Sequence, residues 1–92
     1  MIVRLMGEGQ YELSKAQVEE LNRIDNNIVS IVNSNDEDSF RAEFRKLIEY
    51  VRMKGKPIAD EIIKPSDIII PPEDITLDEA KSIFKGEGLI KD

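Results

Sequence analysis

The sequence predicts an α+β fold in which an antiparallel helical hairpin packs with a small three-stranded sheet and a short C-terminal helix. Two stretches of about 18 residues repeat apolar side chains at helical spacing. Short runs of β-branched residues, bounded by glycine or proline, stand before and after these stretches. A length of 92 residues suits a single domain over residues 1–92.

The beginning of the chain predicts a β-hairpin. Met1–Met6 is rich in apolar residues, Gly7–Gly9 is typical of a turn, and Gln10–Leu13 alternates polar and apolar residues. An isolated hairpin is marginal in water, so it needs further pairing. Asp67–Ile70, which lies between prolines, is the predicted third strand. Lys56–Lys64 has no clear period and contains a proline, and we expect it to be mostly loop.

Two long helices are predicted in the middle of the chain, over Ser14–Val32 and Asp36–Lys54. Ser14 and Gln17 fit a capping box at the start of the first helix. Because a connection of only three or four residues joins the two helices, they should run antiparallel. The apolar positions that define them are Val18, Leu21, Ile24, Ile28, Val29, Ile31 and Val32, then Phe40, Phe44, Leu47, Ile48 and Val51.

A third, short helix is predicted over Thr76–Phe84, with an end at Gly86. Thr76 and Glu79 fit a second capping box at its start. Gly88-Leu89-Ile90 is a final apolar segment that is available to rejoin the sheet.

Composition narrows the function classes. The 13 basic and 19 acidic residues leave a net charge of −6, which argues against a nucleic-acid partner and against adsorption to anionic lipid. Cysteine and histidine are both absent, so thiolate metal sites, thiol nucleophiles and the usual neutral-pH general base are excluded. No apolar run approaches the roughly 20 residues of a membrane span. We therefore expect a cytoplasmic protein that is not an enzyme and holds no cofactor or metal.

Carboxylates are the acid–base groups that remain. On a helix, the consecutive side chains of Asp36-Glu37-Asp38 would point in different directions. Stabilisation of the helix dipole is therefore the simpler interpretation, and binding of a divalent cation is the alternative. A small carboxylate-dependent enzyme stays open as an alternative function. It would need a cleft that gathers several of Asp25, Glu8, Arg4 and Tyr11.

Asp25 falls inside the apolar arc of the first helix. A buried carboxylate costs several kcal/mol unless it is paired or hydrogen-bonded. We therefore expect a structural ion pair with Arg4, Arg41 or Arg45, or hydrogen bonds from backbone donors, or a place at the edge of the packed face. Such an ion pair would lie within the monomer or across a dimer interface. A structural role is favoured over a catalytic one.

The second helix carries a basic row beside its apolar stripe, within about 40° of arc. Its members, with the isoleucine between them, are Arg41, Arg45, Arg52 and Ile48. Six of the 13 basic residues lie between positions 41 and 56, in a chain that is otherwise strongly acidic. The row suits an acidic or amphipathic partner helix. The alternative is internal pairing with Glu37, Glu49 and the first helix.

Several segments together resemble the PspAA family of PspA-associated proteins, which occurs in archaea and actinobacteria. The resemblance covers nearly the whole chain and is most distinctive in the opening hairpin and the closing Glu-Gly-Leu-Ile. The segments are Met1–Leu13, Glu20–Asn26, Phe40–Phe44, Pro65–Pro72, Thr76–Glu79 and Glu87–Ile90.

The resemblance implies a non-catalytic adaptor or regulator in a phage-shock-type envelope-stress system. Its partner would be a PspA-like protein, a coiled-coil membrane-remodelling relative of ESCRT-III proteins, and the chain itself would not insert into the membrane. The family provides no catalytic residues to carry over. A self-associating structural module, such as a homodimer, is the alternative.

Overall fold

The computed structural model describes residues 1–62, 64–84 and 88–90. It is α+β, as predicted, and within these ranges it holds three helices and one mixed four-stranded sheet. The elements in chain order are β1 (Ile2–Leu5), β2 (Gly9–Glu12), α1 (Lys15–Asn33), α2 (Glu37–Lys54), β3 (Lys56–Ile58), β4 (Ile68–Ile70) and α3 (Leu77–Ile83).

The sheet has the strand order β3-β2-β1-β4. β1 pairs antiparallel with β2 and parallel with β4, so that Val3 lies between Tyr11 and Ile68. Asp67 strengthens the second pairing, because its Oδ2 accepts the Ile2 N–H at 2.7 Å and its own N–H donates to the Ile2 carbonyl at 2.8 Å. The predicted pairing of the hairpin with a third strand is therefore confirmed.

The prediction of three strands was wrong by one. Lys56–Ile58, expected to be loop, forms β3 and pairs antiparallel with β2. Pro57 lies opposite Tyr11. An edge strand tolerates proline, which has no N–H to donate, because one side of that strand makes no ladder bonds. Three residues are also too few to show alternation in the sequence.

The two long helices begin as predicted. Ser14 and Gln17 form the capping box of α1, and the Asp36 side chain accepts the Ser39 N–H at the start of α2. Gln17 also donates from Nε2 to the Lys54 carbonyl at 2.9 Å. The beginning of α1 therefore lies beside the end of α2, and the helices run antiparallel.

One core joins the helices to a single face of the sheet. The rings of Phe40 and Phe44 stack with centroids 5.4 Å apart, and Phe84 meets both edge-on at 6.2 and 5.8 Å, which docks the end of α3 onto α2. The α3 capping box of Thr76 and Glu79 is present. The buried apolar side chains are Val3, Leu5, Leu13, Leu21, Ile24, Ile28, Val32, Phe40, Phe44, Leu47, Ile48, Val51, Ile68, Ile70, Ile75, Ala80, Phe84 and Ile90.

Gly88-Leu89-Ile90 does not rejoin the sheet. It forms a turn and a bend, and Ile90 is buried in the core. α3 ends at Ile83, and the expected end at Gly86 lies outside the described residues.

Candidate partner-binding surfaces

The arginine row of α2 lies on the helix surface, and ion pairs within the chain engage all three of its arginines. Arg41 lies 3.9 Å from Glu37 and also donates to the Glu73 backbone carbonyl at 3.1 Å. Arg45 donates from Nε to Glu73 Oε1 at 2.6 Å. These bonds hold the connection between β4 and α3 against α2. The Arg45 side chain is still 71% exposed, so it is the arginine of the row most open to a partner.

Arg52 holds the hairpin turn against α2. Its guanidinium donates to both carboxylate oxygens of Glu8, with the shortest distance 2.6 Å, and to Glu49 at 2.8 Å. The Tyr11 hydroxyl donates to Glu8 Oε2 at 2.9 Å. The hydrogen bond from Arg52 lowers the pKa of Glu8, and the same contact raises the pKa of Arg52. Partial burial, followed by the bond to Glu8, raises the pKa of Tyr11.

Ile48 is a core residue. Its side chain is 4% exposed and packs in the apolar cluster between the helices and the sheet. Its sequence position between the arginines suggested an apolar contact for a partner. In the structure Ile48 belongs to the buried apolar stripe of α2 and faces the core. Ile48 is therefore not part of the surface proposed below.

Asp25 is fully buried and accepts hydrogen bonds from two consecutive backbone amides. The Leu89 N–H donates to Oδ1 at 3.1 Å, and the Ile90 N–H donates to Oδ2 at 3.0 Å. Backbone donors were one of the partners expected from the sequence. The arginine ion pair stays a prediction, while Arg41 and Arg45, two of its three candidates, reach Glu37 and Glu73.

Gly88 makes the approach to Asp25 sterically feasible. Its φ of +80° lies in the left-handed region, which glycine adopts without strain. A β-carbon at this position would lie 2.6 Å from Asp25 Oδ2. The sequence analysis placed only the end of a helix and a final apolar segment in this region, and nothing local to the sequence indicated a contact across more than 60 residues.

The four residues that a carboxylate-dependent enzyme would gather lie in three places. Glu8 and Tyr11 meet at the hairpin turn, and Asp25 lies beneath Leu89 and Ile90. Arg4 lies on the outer face of the sheet, at a depression of about 150 Å³ whose lining residues are Arg4, Gly9, Gln10, Ile58, Ala59, Asp60, Ile62 and Lys64. The described contacts of Glu8, Tyr11 and Asp25 are thus hydrogen bonds within the fold.

Acidic residues near the helix starts act as caps. Asp36 accepts from the Ser39 hydroxyl and backbone N–H, and these bonds lower its pKa. The backbone N–H of Thr76 and its side chain lower the pKa of Glu79 in the same way. Within residues 1–62, 64–84 and 88–90 there is no cluster of acidic side chains able to hold a metal ion. None of the helices described is long and apolar enough to cross a membrane.

Comparison with curated proteins and with solved structures found no match. A family model does match, and its description is PspA-Associated protein. The match runs over residues 1–92 and so includes the hairpin, both long helices and the segment that covers Asp25. The chain therefore belongs to the PspAA family of PspA-associated proteins.

Proposed function

We propose that this chain is a non-catalytic adaptor or regulator that binds a PspA-like coiled-coil protein. The observation that carries the proposal is the family match over the full length, since the family is named for its association with PspA. The contacts of the described residues support it. The side chains of Arg45, Arg52 and Asp25, which the sequence analysis singled out, form hydrogen bonds that connect separate elements of the fold. The proposal includes a cytoplasmic location, beside the face of the membrane where such a partner would act.

The proposed contact is the arginine row of α2, centred on Arg45. A basic residue that is 71% exposed on an otherwise acidic protein can attract an acidic helix, and such attraction is screened over about 8–10 Å at physiological salt. Arg45 already has a carboxylate partner in Glu73, and exposed pairs of this kind are worth only about 0.2–1 kcal/mol. A partner carboxylate can therefore replace Glu73 at little cost.

The test is a titration of the purified chain with a purified PspA-like protein encoded in the same genome. Arg45→Glu should weaken binding about tenfold or more, while the midpoint of thermal unfolding stays nearly unchanged. Glu73→Gln is the matched control, because it removes the internal competitor and leaves Arg45 charged. It should keep or raise the affinity.

The two variants separate partner binding from a purely structural role. If the Arg45–Glu73 pair only holds the loop, both variants lower stability by a similar small amount and neither changes affinity. Arg52 is a poorer probe than Arg45. Arg52→Glu would place a third carboxylate beside Glu8 and Glu49, and the repulsion would weaken the contact between the hairpin turn and α2.

A further inference from the structure

The sheet face that points away from the helices is covered on one half only. On the β2 side, Lys64 and Ser66 lie over Gln10, which is 8% exposed. Gln10 donates from Nε2 to the Lys64 carbonyl and to the Ser66 hydroxyl, each at 2.8 Å. On the β1–β4 side, Arg4 and Ile69 are partners in register and both are exposed.

The uncovered half carries a contiguous set of apolar side chains around one cation. Val3 and Leu5 point into the core, so strand alternation places their neighbours on the outer face. Met6 continues this alternation, because its N–H donates to the Ile70 carbonyl at 3.0 Å. Met6 is 50% exposed and Ile69 is 53% exposed. We call this set the outer sheet surface; its members are Ile2, Arg4, Met6 and Ile69.

Arg4 differs from the other four arginines of the chain. Arg23 pairs with Glu20, and the three arginines of α2 pair with glutamates as described above. In the part of the chain that the structure describes, Arg4 is the one arginine with no carboxylate at ion-pair distance. Single exposed apolar residues need no explanation, whereas exposed apolar side chains grouped on one face can form an interaction site, and here they lie beside a cation that can attract an acidic partner.

We propose that the outer sheet surface binds an amphipathic helix of the PspA-like partner, with apolar side chains on Met6 and Ile69 and a carboxylate on Arg4. This inference rests on the proposed function and adds a second contact surface to it. The surface lies on the sheet layer, whereas α2 belongs to the helical layer. A chain with one contact on each layer can bind two segments of its partner at once.

A helix suits this site better than an added strand. The adjacent edge strand, β4, has only three residues, and prolines lie shortly before and directly after it. Short edges flanked by proline resist the addition of another strand. A second copy stacked on the same surface would bring the same unpaired arginine into the interface, whereas an acidic helix supplies its counter-charge.

The experiment measures the affinity of the purified chain for the purified PspA-like coiled-coil protein. Arg4→Glu should weaken binding about tenfold or more, Arg4→Lys should retain most of it, and Ile69→Thr should weaken it several-fold. Arg23→Glu is the matched control, since it makes the same charge change on a residue whose side chain is 76% exposed on α1. It should bind as the wild type does.

Each outcome decides between the proposals. If the wild type binds and Arg4→Glu binds equally well, the sheet site is wrong and the proposed function stands. If the wild type does not bind, the proposed function fails, and so does the proposal that a helix of the PspA-like protein binds the outer sheet surface. If both surfaces contact the partner, the losses from Arg4→Glu and Arg45→Glu should add, as for distant sites. Sedimentation of the chain alone tests whether a second copy binds this surface instead. A wild-type dimer that Ile69→Thr converts to a monomer would assign the surface to self-association and overturn the proposal.

Discussion

The backbone of Gly88 lies against the carboxylate of Asp25 so closely that a β-carbon there would be 2.6 Å from Oδ2. This contact places the two following amides where each donates to one carboxylate oxygen. The segment 88–90 is thereby fastened to the middle of α1, and Ile90 fills space in the core.

Gly88→Ala should destabilise the fold by about 1–3 kcal/mol, because it adds backbone strain at positive φ and a clash with Asp25. Gly7→Ala is a matched control. Gly7 has the same φ of +80°, but a β-carbon there would meet nothing within 4 Å. Urea unfolding should show a clearly larger loss for Gly88→Ala. Equal losses would mean that the Asp25 contact adds nothing.

Asp25→Ala should cost on the order of 1–3 kcal/mol, since two backbone donors lose their acceptor in a buried place. The same change removes the oxygen with which an alanine at position 88 collides. The cost of Gly88→Ala should therefore shrink in an Asp25→Ala background, and a double-mutant cycle measures this coupling. Additive losses would show that the two residues act independently.

Arg52→Gln should lower stability by roughly 0.5–1 kcal/mol, because it releases the hairpin turn from α2 at a partly exposed site. The loss should be larger at low salt than at high salt. Lys46→Gln provides the comparison at an ordinary surface pair, because Lys46 lies 4.0 Å from Glu43. Thermal unfolding of the two variants at two salt concentrations checks this prediction.

Acid should weaken the fold through carboxylates whose pKa is lowered in the native state. The pKa of Glu8 is lowered by its bond to Arg52, and those of Asp36 and Glu79 by their capping bonds. A lowered native pKa stabilises the fold above the ordinary values of 3.8 to 4.5, and this stabilisation is lost as the pH falls through the native pKa values. Urea midpoints should therefore change little between pH 7 and 5 and fall below about pH 4.5. Glu8→Gln should make that fall smaller.

Phe84→Ala should cost about 3–5 kcal/mol, because it removes the ring that meets both Phe40 and Phe44 edge-on. Phe84→Leu should recover a large part of the loss, since it refills most of the volume. Chemical unfolding followed by circular dichroism measures both. A loss below 1 kcal/mol for Phe84→Ala would contradict the docking of α3 through this cluster.

Local patterns were sufficient to predict the helices and the hairpin. The capping boxes at Ser14 and Thr76 and the apolar periods of α1 and α2 are encoded within a few neighbouring residues. β3 escaped prediction because three residues around Pro57 show no alternation, and its pairing partner β2 lies more than 40 residues earlier.

The partners of the charged residues could not be predicted in the same way. Glu73 reaches Arg45 across 28 residues and Glu8 reaches Arg52 across 44, so only the folded topology brings them together. The helical wheel correctly placed Asp25 in the apolar arc, but the two amides that satisfy it come from positions 89 and 90. Ile48 shows the converse, since a position between exposed arginines did not reveal that its side chain is buried.

The most direct test of the central claim is amide hydrogen exchange of the chain with and without the purified PspA-like protein. Binding through both proposed surfaces predicts slower exchange in α2 around Arg45 and in β1 and β4 around Arg4 and Ile69. Exchange in α1 around Arg23 should not change. Unchanged exchange throughout the chain at saturating partner would contradict the adaptor function, and protection confined to other segments would contradict both surfaces.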